Sequence, residues 1–174
     1  VSKTVSLNVR ALTMIDPVTN LLEIKQLFAP PTAQSVMKAF ELGWLCRYPK
    51  PVKVICDRGP EFLGHEFPQK LLEAGIRLKP ISALNPQSNG IIERVHQVIA
   101  QILRTLIDKR KPKTDNECRE LAGDGLSFAM HATRAAAHSQ LDFLSPSVLA
   151  FNRDMILNIP YQANLLLLQQ HRQK

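Results

Sequence analysis

Val52-Lys53-Val54-Ile55-Cys56-Asp57-Arg58-Gly59-Pro60-Glu61-Phe62 decides how the rest of the chain is read. Its first half is a β-branched run, bounded upstream by Pro49 and Pro51 and downstream by an Asp-Arg-Gly-Pro turn. A short apolar run between such signals predicts a buried strand of a parallel sheet over about residues 52–56. Asp57 then stands at the strand's carboxyl end, the edge where open α/β sheets bind their ligands. Aspartate before glycine is also an ordinary turn former. A catalytic reading of Asp57 therefore needs a second acid.

Downstream, the pattern predicts a short helix from about His65 to Ala74 and a strand from Ile76 to Ile81. Ser82 to Gly90 is polar and carries Pro and Gly, as connecting loops do. Beyond it Ile92, Val95, Ile99, Ile102 and Leu106 recur every three or four residues and define a helix near 91–108, with Glu93, Gln97, Gln101 and Arg104 along another face. A basic linker, Lys109 to Lys113, leads to a helix near 115–137, and Ser145-Pro146 opens a short one.

Upstream, Val5, Leu7, Val9 and Ala11 alternate before Leu12, Met14 and Ile15 thicken the pattern, which predicts a strand over 5–15. Asp16-Pro17 turns the chain into a second strand near 20–27, and Pro30-Pro31-Thr32 with Ser35 enters and caps a helix running to about Cys46. Strands alternating with helices argue for an α/β layer fold.

The 174 residues, 45% of them hydrophobic, suffice for one folded domain. A net charge of +7 favours polyanionic partners. Cys46, Cys56 and Cys118 lack the close pairing of a zinc site and read as reduced thiols of an intracellular protein, in nucleus or cytoplasm. No apolar run approaches the roughly 20 residues that span a bilayer, so no membrane partner is expected. The chain begins without Met, as a fragment of something longer would.

Glu93, one turn into its helix behind the flexible loop, is the candidate second acid. A glutamate there is also favoured by the helix dipole alone. Two carboxylates on separate rigid elements can hold a hard, oxygen-seeking cation, Mg²⁺ or Mn²⁺. Paired metals in such a site serve phosphoryl transfer, which predicts carboxylates about 4 to 8 Å apart.

Ile55-Cys56-Asp57-Arg58-Gly59-Pro60-Glu61-Phe62 resembles the (S/C)D-x-G-x-E-F segment of retroviral and long-terminal-repeat retrotransposon integrases. Asn85-Pro86-Gln87-Ser88-Asn89-Gly90-Ile91-Ile92-Glu93-Arg94 is similar to their N-P-Q-S/A-x-G-x-x-E-R segment, and the 35 residues between Asp57 and Glu93 match the family's spacing. The likeness runs from about Val5 to Met155, and elements of the Ty3 type look closest. It implies a ribonuclease-H-like three-layer α/β fold with a mixed central sheet. It divides the chain into a catalytic core, 1–155, and a C-terminal linker or helix, 156–174. It further implies an integrase-type polynucleotidyl transferase acting on DNA phosphodiesters with a divalent metal. Asp57 and Glu93 become the catalytic residues and metal ligands. Asn85, Gln87, Asn89, Arg94, Gln97 and Arg104 become DNA contacts, and a homo-oligomer is the expected assembly. Asn85, Gln87 and Asn89 read equally as solvated loop amides, and Gln97 and Arg104 as a solvated helix face.

Family members use three carboxylates, the first in a V-D-x-x-G-P-like segment on the first strand, and this sequence has no such segment. Asp16 matches instead a non-catalytic aspartate in the turn after the second strand. The expected core therefore lacks its first catalytic aspartate and the central strand that carries it. Either the strand of Val5–Ile15 pairs directly with Val52–Cys56, or its first residues stand in for the lost strand, or a gap stays open. The alternative function is a non-catalytic DNA-binding or assembly module that keeps the fold. His65, His96, His131, His138 and His171 form no paired ligand pattern and read as surface or packing residues.

Overall fold

The computed structural model describes residues 10–81 and 90–155. Strand β1, Arg10–Ile15, follows the alternation of its sequence: Leu12 and Met14 are buried while Thr13 between them looks the other way. β1 pairs with β2, Leu22–Leu27. The connection between them is far too short for a parallel crossover, so the pair is an antiparallel hairpin. Expected strand residues 5–9 lie outside the described residues.

Helix α1, Ala33–Phe40, starts as its sequence prescribes. Thr32 Oγ1 accepts the Ser35 amide at 3.1 Å while Ser35 Oγ accepts the Thr32 amide at 2.9 Å, a reciprocal cap. The expected continuous helix to Cys46 differs in its last turn, where Glu41–Leu45 is π-helical and the Cys46 amide reaches back to the Glu41 carbonyl. Gly43 sits in this turn where a Cβ would lie 2.7 Å from Met14 Cε and 3.0 Å from Lys25 Cγ, so glycine lets the turn press on β1 and β2.

Strand β3, Lys53–Cys56, pairs in parallel with β4, Arg77–Pro80. Between them lie α2, Pro60–Leu63, where a plain turn was expected, and α3, Glu66–Glu73. Pro60 at the first helical position suits α2, because its missing N–H would have no partner there in any case.

One core joins these elements. Leu12 and Met14 pack with Val36, Met37 and Phe40 of α1, Phe67 and Leu71 of α3, and Ile76, while Val54 of β3 and Leu78 of β4 close against the same cluster. The rings of Phe40 and Phe62 both meet Phe67 edge-on, with centroids at 6.4 and 5.5 Å. Helix α4, Gly90–Arg110, lies on the opposite side of β1, because His96 Nε2 is 3.1 Å from Oγ1 of the outward-facing Thr13. Helix α5, Asp115–Ala135, follows; the Ile24 amide of β2 donates to Met130 Sδ at 3.3 Å. Gly125 of α5 lets Leu103 and Leu106 of α4 come close, an added Cβ lying 2.5 Å from Leu103 Cδ2 and 3.1 Å from Leu106 Cδ1. Helices thus lie on both faces of β1, an α/β three-layer arrangement.

Among the described residues β1–β2 and β3–β4 are small, separate two-stranded sheets, so β1 does not pair directly with β3. Of the three outcomes expected for the absent strand, direct pairing of β1 with β3 is not seen, and the stand-in by the first residues falls outside the described residues. The expectation of a buried β3 is corrected: its pattern alternates, Cys56 being buried while Ile55 is 45% exposed.

By its contacts the chain divides into two compact units, one of residues up to 15 with 23–130, the other of 16–22 with residues from 131 onward. All the packing above belongs to the first. In the second, Arg134 Nε donates to the Leu22 carbonyl at 2.9 Å, and α6, Pro146–Phe151, is capped by Ser145 and ends in left-handed Asn152. Among the described residues no helix is long and apolar enough to cross a membrane.

Candidate active site

The site begins where β3 stops. Asp57, exposed, is the first residue beyond the strand, and its Oδ1 accepts the Gly59 amide at 3.0 Å in a tight local turn. Beside it, Arg58 donates from Nε to the Ile81 carbonyl at 3.1 Å. That bond ties the end of β3 to the residue after β4, from which the chain leaves toward the 82–89 connection. Nothing in the sequence reading marked Arg58 for this role. The signal available was only its place between the aspartate and the glycine.

Cys56, buried on the other side of the strand end, has its thiol pushed up to about 11, first by burial and then by the charge of Asp57. It stays protonated at neutral pH and is no nucleophile. Asp57 and Glu93 are then the acids with a catalytic reading in this region.

Glu93 sits exposed in the first turn of α4, where a negative charge meets the positive end of the helix dipole. The helix forms as its spacing dictates. Val95 and Ile99 are buried, Ile92, Ile102 and Leu106 half-buried, and Glu93, Arg94, Gln97, Gln101 and Arg104 exposed. Arg94, Gln97 and Arg104 therefore stand on solvent-facing parts of α4. Asn85, Gln87 and Asn89 lie outside the described residues. His96, one turn beyond Glu93, is exposed and bonded to Thr13, so it is a surface histidine with a specific tie to β1.

Asp16 is occupied otherwise. Its Oδ1 accepts the Val18 amide at 3.3 Å, and its Oδ2 accepts the Thr19 amide at 3.3 Å and the Thr19 hydroxyl at 2.7 Å. This is the bonding of a turn-building aspartate.

Among the described residues no group of three or more His, Cys, Asp or Glu side chains is placed to hold a metal ion. Asp57 and Glu93 still fit a hard cation in kind. Mg²⁺ is commonly held by one or two carboxylates, with waters and substrate phosphates completing its shell. Asp57 is exposed, and only Oδ1 of its carboxylate has a described hydrogen bond.

No protein-family model matches the chain, and no characterised protein matches it in sequence. Solved structures do match in fold. The HTLV-2 integrase catalytic core domain in complex with magnesium, in a trimeric form, superposes with a TM-score of 0.61 at 14% identity, covering 82% of this chain and 92% of that one. The catalytic core domain of BIV integrase gives 0.61 at 18% identity, covering 83% and 91%. A chain of the simian T-cell lymphotropic virus intasome in complex with the PP2A regulatory subunit B56 gamma gives 0.66 at 14%, covering 90% and 56%. The chain therefore has the ribonuclease-H-like fold of retroviral integrase catalytic cores. At these identities the likeness concerns the fold and not the chemistry.

Proposed function

We propose that this chain is the core of an integrase-type polynucleotidyl transferase of long-terminal-repeat retrotransposon origin, acting on DNA phosphodiesters with Mg²⁺ or Mn²⁺. The observation that carries the reading is the position of Asp57: an exposed carboxylate just past the carboxyl end of a parallel strand, in a fold shared with retroviral integrase cores. Asp57 and Glu93 hold the cation, which when bound supplies charge that activates the attacking oxygen and stabilises the leaving one. Arg58 braces the end of β3 through the Ile81 carbonyl. Arg94, Gln97 and Arg104 offer donors to the DNA backbone, and Asn85, Gln87 and Asn89 complete the DNA contacts from the connecting loop. The magnesium complex of the HTLV-2 core supports the choice of metal, and its trimeric and dimeric forms support a homo-oligomer.

The separation of β1–β2 from β3–β4 favours a second reading as well. In that reading the chain is a non-catalytic DNA-binding or assembly module that keeps the fold. A joining assay with Mn²⁺ and a duplex bearing a free 3′-hydroxyl separates the two. Joining that disappears in Asp57→Asn and in Glu93→Gln is the expected result. DNA binding without joining establishes the second reading, and a chain that neither binds nor joins DNA sinks both.

A further inference from the structure

One face of β3–β4 carries charge in a pattern that the chemistry at Asp57 does not use. The parallel register sets Lys53 opposite Arg77 and Ile55 opposite Lys79. Side chains alternate along a strand, so these four share a face while Val54, Cys56 and Leu78 take the other. Burial agrees: Lys53, Ile55, Arg77 and Lys79 are exposed, Cys56 is buried, and Val54 and Leu78 close on the core. Strand geometry puts Lys53 about 4.8 Å across the sheet from Arg77, and Lys79 about 6.6 Å further along β4. These spacings lie within a Debye length of about 8 Å, so salt does not hide the three cations from one another. Like charges directly opposite weaken a strand pair. Among the described residues none of the three is in an ion pair that would offset the repulsion, unlike Arg47 with Glu23 and Arg110 with Asp124.

We propose that this face binds the phosphate backbone of duplex DNA and leads it toward the Asp57 end of β3. The inference rests on the proposed function and adds to it a second contact surface, on the sheet rather than on α4. Charge complementarity selects the partner: a polyanion removes the repulsion between Lys53, Arg77 and Lys79, and neutralising phosphates releases condensed counterions. A lipid surface is a poorer match, because Ile55 is the one apolar side chain among the four and membrane-bound faces need a broad apolar side to bury. Lysine and arginine donors on phosphate fix position without reading sequence.

Fluorescence anisotropy of a labelled duplex, titrated from about 50 to about 200 mM salt, tests this. Three charges are removed together in Lys53→Gln/Arg77→Gln/Lys79→Gln. A control removes the same number at the α4–α5 corner in Lys109→Gln/Lys111→Gln/Lys113→Gln. The sheet variant is expected to lose about 2 to 3 from the slope of log affinity against log salt, near 0.9 for each phosphate contact. Its thermal midpoint should be equal to or above that of the wild type. Single variants Lys53→Gln and Lys79→Gln each lose about 1, which keeps the test valid if the triple variant fails to fold. An unchanged slope in the sheet variants, or an equal or larger loss in the control, overturns the inference while the integrase reading stands. Wild-type protein that binds no duplex overturns both. Anionic vesicles and polyglutamate serve as competing probes: loss of either with DNA binding intact assigns the face to another polyanion and refutes the proposal.

Discussion

Asp16 and Asp57 each stand one residue past the end of a β-strand, and each opens a turn. Asp16 spends both carboxylate oxygens on its own turn, on two amides and a hydroxyl between Val18 and Thr19. Asp57 spends one oxygen on one amide and is exposed. The same residue type in the same local context thus serves two ends. A carboxylate saturated by its neighbours holds the backbone; one with oxygen lone pairs to spare can hold something else. Residue type and position do not separate these cases, and the residue two or three places further on does. Thr19 gives Asp16 a hydroxyl donor, whereas Gly59 and Pro60 give Asp57 one amide and nothing more.

The largest effect that would sharpen this contrast is on stability. Asp16→Ala removes three acceptor contacts and should destabilise the fold by about 1 to 2 kcal/mol, in the range of lost caps and side-chain hydrogen bonds. Asp57→Ala should stay within about 0.5 kcal/mol, as exposed substitutions usually do. Urea unfolding of both variants measures the difference. Equal losses would break the comparison and make Asp57 a structural aspartate.

A smaller effect concerns charge. The Cys56 thiol is raised to about 11, so the folded chain keeps its proton where the unfolded chain, with a value near 9.0, has lost it. The unfolded state then binds fewer protons than the native one, and stability falls as pH rises from about 9 toward 11. Asp57→Asn removes the second cause of the shift, and in metal-free buffer the thiol should titrate lower than in the wild type. Thiolate absorbance against pH reads it directly. An unchanged titration would mean that Asp57 and Cys56 do not sense each other.

Much of this was legible in the sequence where the signal is local. The Thr32–Ser35 cap, the alternation of Leu12, Thr13 and Met14, and the apolar stripe through Val95 and Ile99 depend on neighbours three or four residues away, and the structure keeps each of them. Non-local facts were not legible. The β-branched run at 52–56 reads as a strand from its composition, but whether both faces are covered depends on what pairs with it. Among the described residues β3 pairs with β4 alone, and its face of Lys53 and Ile55 is exposed. The alternation of Lys53 with Val54, and of Arg77 and Lys79 about Leu78, did carry that signal, in residues read only as apolar runs. The π-helical turn at Glu41–Leu45, with Gly43 pressed close to Met14 and Lys25, is a feature that no helix pattern encodes. For the candidate site, the spacing of Asp57 and Glu93 pointed to a pair, and the structure adds their exposure and the brace at Arg58.

The central claim is that Asp57 and Glu93 share a divalent cation, and a Mn²⁺-soaked crystal of the chain tests it most directly through anomalous scattering. The account predicts a peak about 2 Å from an oxygen of each carboxylate, with the two carboxyl groups about 4 to 8 Å apart. A map with no peak between them, or carboxylates held more than about 12 Å apart by rigid structure, would contradict it.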